Sequence, residues 1–443
     1  MFRLGLTAAM AAASLALSSA LAAAQQSTEA LQRRLTDAGC YHGAIDGRDN
    51  AALQAAIKAC PSQEPVLLIE SGMHLAPIKR LGVDRACRLA ATGAWDKTVR
   101  VWSLPEGRLL RTLRVPVGPD DGGKIYATAV SPDGRWIAAG GWDAQWDAVS
   151  KDFVYIFDAS SGDVVARIGL ESVIFHLTFS PDGRWLAIAS TGNVGLKVVD
   201  TQNWRIVAED KAYQDDSYGA AFAPDGRLYT VAYDGKIRRY SGAPNFRKER
   251  EVSTKVSKQL YSVAIDPKGQ LVAVGYSDSQ AVEVYDAATL QRRFAAETKD
   301  LANDSGNLSK VAWSSDGTRL YAAGSYDAKF SGEWKSPLLT FDRDGKRVGD
   351  PIPLSDDAVM NLQVCGDAIA VAAADPAFGV VDRGGRVNPW KQGVASDMRD
   401  KVGDALTVGP NAKQVRFGLG DAGEDPYVFD IAQATINSAP DPI

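Results

Sequence analysis

The chain has 443 residues, a formal net charge of −5 and three histidines. A mildly acidic chain without a basic run gives no footprint for nucleic acid. Past the N-terminus no stretch reaches membrane-spanning length.

The first 24 residues read as a secretory signal. Arg3 supplies the positive start, an apolar Ala/Leu stretch runs to about Leu21, and Ala22-Ala23-Ala24 offers small residues for cleavage. Cleavage is expected after Ala24, with Ala22 as the other choice, and with no cysteine at the cut a lipid anchor is not expected. The expected mature protein is periplasmic or secreted, with no membrane insertion after cleavage. In an exported chain four cysteines invite a disulfide. Cys40 and Cys60 sit in one small segment and are the expected pair, closing a loop worth about 3 kcal/mol. Cys87 and Cys365, isolated in strands of distant repeats, read as small buried hydrophobes.

Residues 25–62 form the next unit. Leu31 and Leu35 recur at helical spacing and Gly39 is placed as a stop. Leu53, Ala56, Ile57 and Cys60 line one face of a second helix, with Asn50 as N-cap and Pro61 past its end. A unit this small needs a staple. The stretch ALQRRLTDAGCYHGAIDGRDNAALQAAI (30–57) resembles the bacterial peptidoglycan-binding-like helical module through Leu31-Gln32, Gly39, Tyr41, Gly43, Ile45, Asp46 and Gly47. The family's Phe-Gly-Pro and Thr positions read Asp49, Asn50, Ala51 and Leu53 instead. The resemblance implies contact with cell-wall glycan or peptide through Tyr41, Asp46 and Arg48. The alternative is that Asp46-Gly47 is simply the turn and Tyr41 packs between helices.

Residues 63–77 are read as a linker and closing strand. The run Val66-Leu67-Leu68-Ile69 is too apolar for a free linker and is expected to add a strand to the domain that follows.

From residue 78 to 437 the chain repeats. Eight times a short apolar strand runs into an aromatic or aliphatic residue and then Asp or Ser: VRVWS (99–103), VYIFD (154–158), LKVVD (196–200), IRRYS (237–241), VEVYD (282–286), LLTFD (338–342), GVVD (379–382) and YVFD (427–430). Tight-turn tetrads begin at Ser131, Ser180, Ala223, Asp266 and Ser314, spaced 43 to 49 residues apart. Pro pre-sets the first turn position and Gly accepts positive φ. A degraded copy starts at Gly409, and the repeat before it keeps its strands (369–373, 379–382) without the turn. That period is the length of a four-stranded propeller blade. Single blades cannot bury both faces, so they stack into a ring. The fold class is therefore mainly β, an eight-bladed propeller behind a small α-helical domain, with seven blades as the alternative and 438–443 as a tail.

ACRLAATGAWDKTVRVWSLPEGRLLRTL (86–113) closely resembles a WD40 repeat, and SPDGRWIAAGGWD and SPDGRWLAIAS look like the inner strands of the next two. The resemblance covers about residues 74–435. The family's Asp–His–Ser–Trp hydrogen-bond network would use Asp96 and Trp102, yet no histidine is found in the Gly-His context. The blades are therefore expected to be held mainly by apolar packing and backbone ladders.

In a WD40-type blade the loop between the second and third strands and the loop between blades open on one face. Trp95-Asp96, Trp142-Asp143, Tyr233-Asp234, Tyr276 with Asp278, Tyr326-Asp327 and Asp375 fall there. Two loops are long: 141–152 adds Trp146 and 325–335 adds Phe330 and Trp334. Long loops in compact repeats are often functional, and aromatic residues anchor partners. The repeated Asp has a simpler use, capping its own turn. The expected partner-binding face is Trp95, Trp142, Trp146, Tyr233, Tyr276, Tyr326, Phe330 and Trp334.

No nucleophile elbow, zinc-ligand spacing, Cys-His-Asp set or phosphate-cradling loop is present, and His176 has no evident catalytic partner. The acidic residues lack the calcium-loop spacing. The reading is a non-enzymatic exported scaffold, disulfide-bonded, without cofactor or metal. It docks a protein partner through the propeller and contacts peptidoglycan through the small domain. The alternatives are a propeller hydrolase or lyase, or the scaffold part of a longer caspase-like or WD-repeat protein.

Overall fold

The computed structural model describes residues 28–29, 31–33, 35–36, 41, 43–59, 72–118, 121–143 and 151–393. In the last repeat it describes 406–408, 413–417, 427–431, 433 and 435–438. The leader, the expected Cys40–Cys60 pair, the Val66–Ile69 run, Trp146 and the Gly409 turn lie outside these residues.

Seven sheets form a ring. They span 78–114, 125–170, 174–210, 217–253, 260–295, 310–355 and 359–392, and are numbered here as blades 1 to 7. Each is an antiparallel sheet whose first strand is innermost; six are meanders of consecutive strands, and blade 6 inserts a short fifth strand, Ala328–Phe330, that pairs with the start of Glu333–Asp342. Each inner strand touches the next, and that of blade 7 returns to that of blade 1. The ring therefore closes at seven blades, which corrects the count of eight. The eighth strand signature belongs to a further four-stranded sheet, 406–438, that the closure does not use. Counting repeats counts sheets, whereas closure depends on which sheet faces meet.

The meeting of blades 1 and 7 is specific. Trp102 packs on Phe378 with ring centroids 4.6 Å apart, inside a cluster that includes Met73, Ile78, Leu81, Cys365 and Ala372. The Leu81 N–H donates to Asn361 Oδ1 at 3.2 Å. Cys87 is disulfide-bonded to Cys365, with Cα atoms 4.9 Å apart. These two cysteines are thus a pair and not buried free thiols. Their bond spans 278 residues, and in the chain-entropy account such a loop contributes about 5 kcal/mol.

Second strands such as Trp185–Ser190 and Leu228–Ala232 are buried almost throughout because both faces meet a neighbouring blade. Outer strands such as Lys248–Ser253 are charged and exposed, which blunts their edges. At the turns after the inner strands of blades 2, 3 and 6, a Ser–Asp pair closes the loop. In blade 2 Ser131 Oγ donates to Asp133 Oδ1 at 2.5 Å, while the N–H groups of Arg135 and Trp136 donate to Asp133 and Ser131. Ser180/Asp182 and Ser314/Asp316 repeat it.

Near the N-terminus, Asn50 accepts from the Leu53 N–H at 2.9 Å and caps the helix Ala51–Ala59. Leu35, Tyr41, Leu53 and Ala56 form a small core. Gln32 is fully buried and pins the loop, donating to Asp46 and Arg48 and accepting from the N–H groups of Asp46 and Gly47.

A candidate binding face at the channel mouth

The inner strands enclose a cavity of about 600 Å³ whose lining comes from all seven blades. One end is built by a repeated irregularity. In blades 1 to 5 and 7 the pairing of the inner strand skips one residue near its start: Lys79, Tyr126, Phe175, Tyr218, Tyr261 and Met360. Such a bulge re-aims the extra side chain and increases local twist. Before it stands an anchor that is buried in every case, Ile78, Ile125, Ile174, Ser217, Leu260 or Val359.

The bulged side chains form a belt with neighbours from the loops between second and third strands. Trp95 lies 5.6 Å from Tyr126, Tyr126 lies 6.0 Å from Phe175, and Phe175 stacks on Tyr218 at 4.4 Å. Tyr218 also stacks on Tyr261 at 5.0 Å and meets Tyr233 at 4.4 Å. Cations sit on these rings. Lys79 Nζ is 4.4 Å from the Trp95 ring centre, and Lys310 Nζ is 3.8 Å from that of Tyr261. The Arg80 guanidinium lies over the same Tyr261 ring at 5.0 Å and donates to Tyr261 Oη and to the Tyr218 carbonyl, each at 3.1 Å. Burial, with Arg80 adding repulsion and Asp357 opposing it, pushes the Lys79 ammonium down to about 8. Burial also drives Lys310 well below its usual range, with Arg80 and Lys79 adding to the effect. His176 lines the cavity and meets the Ala220 carbonyl through Nε2 at 3.0 Å. Burial holds it near 3, hence neutral at physiological pH.

The expected partner residues divide into three groups. Trp95 and Tyr233 are in the belt. Trp142 and Trp334 are exposed, at 41% and 51%. Phe330 and Trp334 ride a hairpin in which Ala328–Phe330 pairs with the start of Glu333–Asp342 through a two-residue turn at Ser331-Gly332, and Lys329 Nζ stands 5.2 Å from the Trp334 ring centre. Tyr276 and Tyr326, by contrast, are buried and cannot meet a partner. The Tyr276 hydroxyl donates to buried Glu283 at 2.5 Å, and Tyr326 Oη accepts from the Ala302 N–H at 3.1 Å.

The acidic residues of this face serve their own loops. Asp143 accepts from Tyr155 at 2.7 Å, Asp375 from Ser355 at 2.6 Å, and Asp234 pairs with buried Arg238. Asp96 belongs to a complete hydrogen-bond network, which corrects the expectation that no histidine is available. His74 Nδ1 meets Asp96 Oδ2 at 2.9 Å, His74 Nε2 meets Thr92 Oγ1 at 2.7 Å, and Trp102 Nε1 donates to the same Thr92 oxygen at 2.8 Å. Burial acts to raise Asp96, yet the His74 contacts and the Thr98 hydrogen bond outweigh it and hold the carboxyl at about 2. Other blades have polar interiors too. In blade 4 Tyr213 Oη lies 2.6 Å from Thr230 Oγ1 and 2.9 Å from Tyr240 Oη, and Tyr240 donates to Asp210 at 2.8 Å.

Of the expected wall-contact residues, Tyr41 is 1% exposed and its hydroxyl donates to the Ala44 carbonyl. A Cβ on Gly43 would collide with that hydroxyl, so the motif's glycine makes room for the tyrosine. Asp46 accepts from the Arg48 N–H and from Gln32, which hold its carboxyl low. Arg48 is the exposed member.

The family model for the WD domain, G-beta repeat, matches residues 73–103 and 107–146. The chain carries WD40 repeats. The first match opens at Met73, so it takes in His74 and the network that His74 completes. The chain is 28% identical over 156 residues to small ribosomal subunit protein RACK1y of Oryza sativa subsp. japonica, covering 33% of this chain and 42% of that protein. It is 26% identical over 274 residues to Protein HIR1 of Yarrowia lipolytica, covering 52% of this chain and 26% of that protein. The matches thus span less than half the length of either relative. Among the described residues no helix is long and apolar enough to cross a membrane, and no group of three or more His, Cys, Asp or Glu is placed to hold a metal.

Proposed function

We propose that this WD40 propeller is a non-enzymatic interaction scaffold that docks a protein partner on the face around the channel mouth. The belt from Trp95 to Tyr261 carries the reading. It joins aromatic rings from five blades and cations from blades 1 and 6 on one surface, and it is flanked by the exposed Trp142 and Trp334. Aromatic anchors of this kind dominate interface energetics.

The compartment proposed is an oxidising one, periplasmic or extracellular. The leader-like residues 1–24 support it, as does a disulfide across the ring seam, a bond rare in the cytosol. Peptidoglycan contact is proposed through the loop bearing Asp46 and Arg48, with Tyr41 supporting that loop from beneath.

The test is capture from the exported fraction with wild-type protein, a Trp95→Ala/Trp334→Ser variant and an Arg135→Ala variant at the opposite end. A partner held by wild type and Arg135→Ala but lost by the mouth variant is the expected result. Equal capture by all three would move docking elsewhere. For the wall, Arg48→Ala should reduce retention on protein-free sacculi, and unchanged retention would remove Arg48 from the proposal.

A further inference from the structure

We propose that the channel mouth is also a binding site for a small oxyanion carrying two or more negative charges, a polycarboxylate or a phosphate ester. Arg80 and Lys310 are 4% and 5% exposed, and neither has a carboxylate within ion-pair reach among the described residues. Several other deeply buried charges in this protein are neutralised. Arg238 pairs with Asp234, Lys197 with Glu171 and Glu209, Lys124 with Asp121, and Glu283 with Arg292. A buried charge without a partner is expensive, and here two lie against one tyrosine ring with Lys79 close by. A bound anion would remove the repulsion that these three groups exert on one another.

Two further polar atoms at the same place have no hydrogen-bond partner among the described residues, Arg80 Nε and His176 Nδ1. The Arg80 nitrogen is a donor for an oxyanion. Because His176 Nε2 faces a carbonyl, that nitrogen carries the ring proton and Nδ1 is an acceptor. A ligand with a hydroxyl near its charged end would satisfy both atoms. The enclosure of the site favours a free small molecule over a side chain of a partner. The channel, about 600 Å³ and lined as far as Pro132, Pro181 and Ser315 at the opposite turns, has walls from seven blades and room for a small ligand.

Isothermal titration of the full chain with citrate, and separately with inorganic pyrophosphate, at low salt tests this. Saturable one-site binding by at least one of them is expected. Lys310→Met should weaken it roughly tenfold or more, the range for a hydrogen bond to a charged group. Lys79→Met should weaken it less, and Lys335→Met, whose cation pairs with Asp356 on the exposed rim, should change nothing. Lys310→Met keeps length and shape, and its melting profile confirms folding. Absence of binding by both anions, or undiminished binding by folded Lys310→Met, would overturn the proposal. Binding of a glutamate-rich peptide without either small anion would also overturn it, and would assign the cations to partner docking.

Discussion

At the end of the channel away from the mouth, carboxylates are used up by their own loops. Asp133, Asp182 and Asp316 accept from a neighbouring hydroxyl and from backbone N–H groups of the same turn, and the Cys87–Cys365 bond locks the ring there. At the mouth six of the seven inner strands are bulged. Their extra side chains are three tyrosines, a phenylalanine, a lysine and a methionine, and two buried cations lack carboxylate partners among the described residues. One end is self-satisfied and serves stability. The other carries features that folding alone does not require. Substitutions at the two ends should therefore separate stability from binding.

The largest expected effect is at the seam. Replacing Cys87 and Cys365 together by alanine should lower stability by about 5 kcal/mol in urea unfolding, while binding at the mouth by the remaining folded protein is unchanged. A loss below about 1 kcal/mol would show that the apolar seam around Trp102 and Phe378 holds the ring alone.

The His74 network is next, and it marks where the mouth end also bears on stability. His74→Ala should cost about 3 kcal/mol, because Thr92 and Asp96 lose a buried partner. The same network predicts an acid limb. The Asp96 carboxyl is held at about 2, against an ordinary value of 3.8. Its contribution, about 2 kcal/mol, is complete above the unfolded value and is lost as pH falls through the folded one. Denaturation between about pH 4 and pH 2 should be shallower in Asp96→Asn than in wild type.

Smaller changes distinguish the two ends more finely. Asp133→Ala should cost about 1 kcal/mol, the worth of a capping carboxylate in a turn, without altering binding. Trp334→Ser should change melting by less than about 0.5 kcal/mol, as exposed positions do, yet reduce partner capture. A reversal of that pattern would end the division between the two ends.

The repeats were legible because each strand ends in a recurring signature and each turn in Pro and Gly, so both sheet number and period could be read from sequence. Ring closure was not, because it rests on Leu81 with Asn361 and Cys87 with Cys365, contacts that no local pattern encodes. His74 was missed because Gly72-Met73-His74 falls in the stretch read as linker, with Met73 separating the expected Gly and His. The mouth was missed for a different reason. A strand read by strict alternation assigns each residue to one blade face or the other, and a bulge breaks that rule. Aligning the blades on their buried anchors would have revealed Lys79, Tyr126, Phe175, Tyr218 and Tyr261 as one column. Exposure also divided residues of one type. Tyr233 reaches the belt, whereas Tyr276, at a similar place in the next repeat, turns inward to Glu283.

The most direct test of the account is oxidative footprinting of the propeller with and without its captured partner. Protection of Trp95, Trp142, Tyr233 and Trp334, with Trp136 and Trp185 beside the opposite turns unchanged, is the predicted result. Protection centred on Trp136 and Trp185, with the mouth residues still reactive, would contradict it.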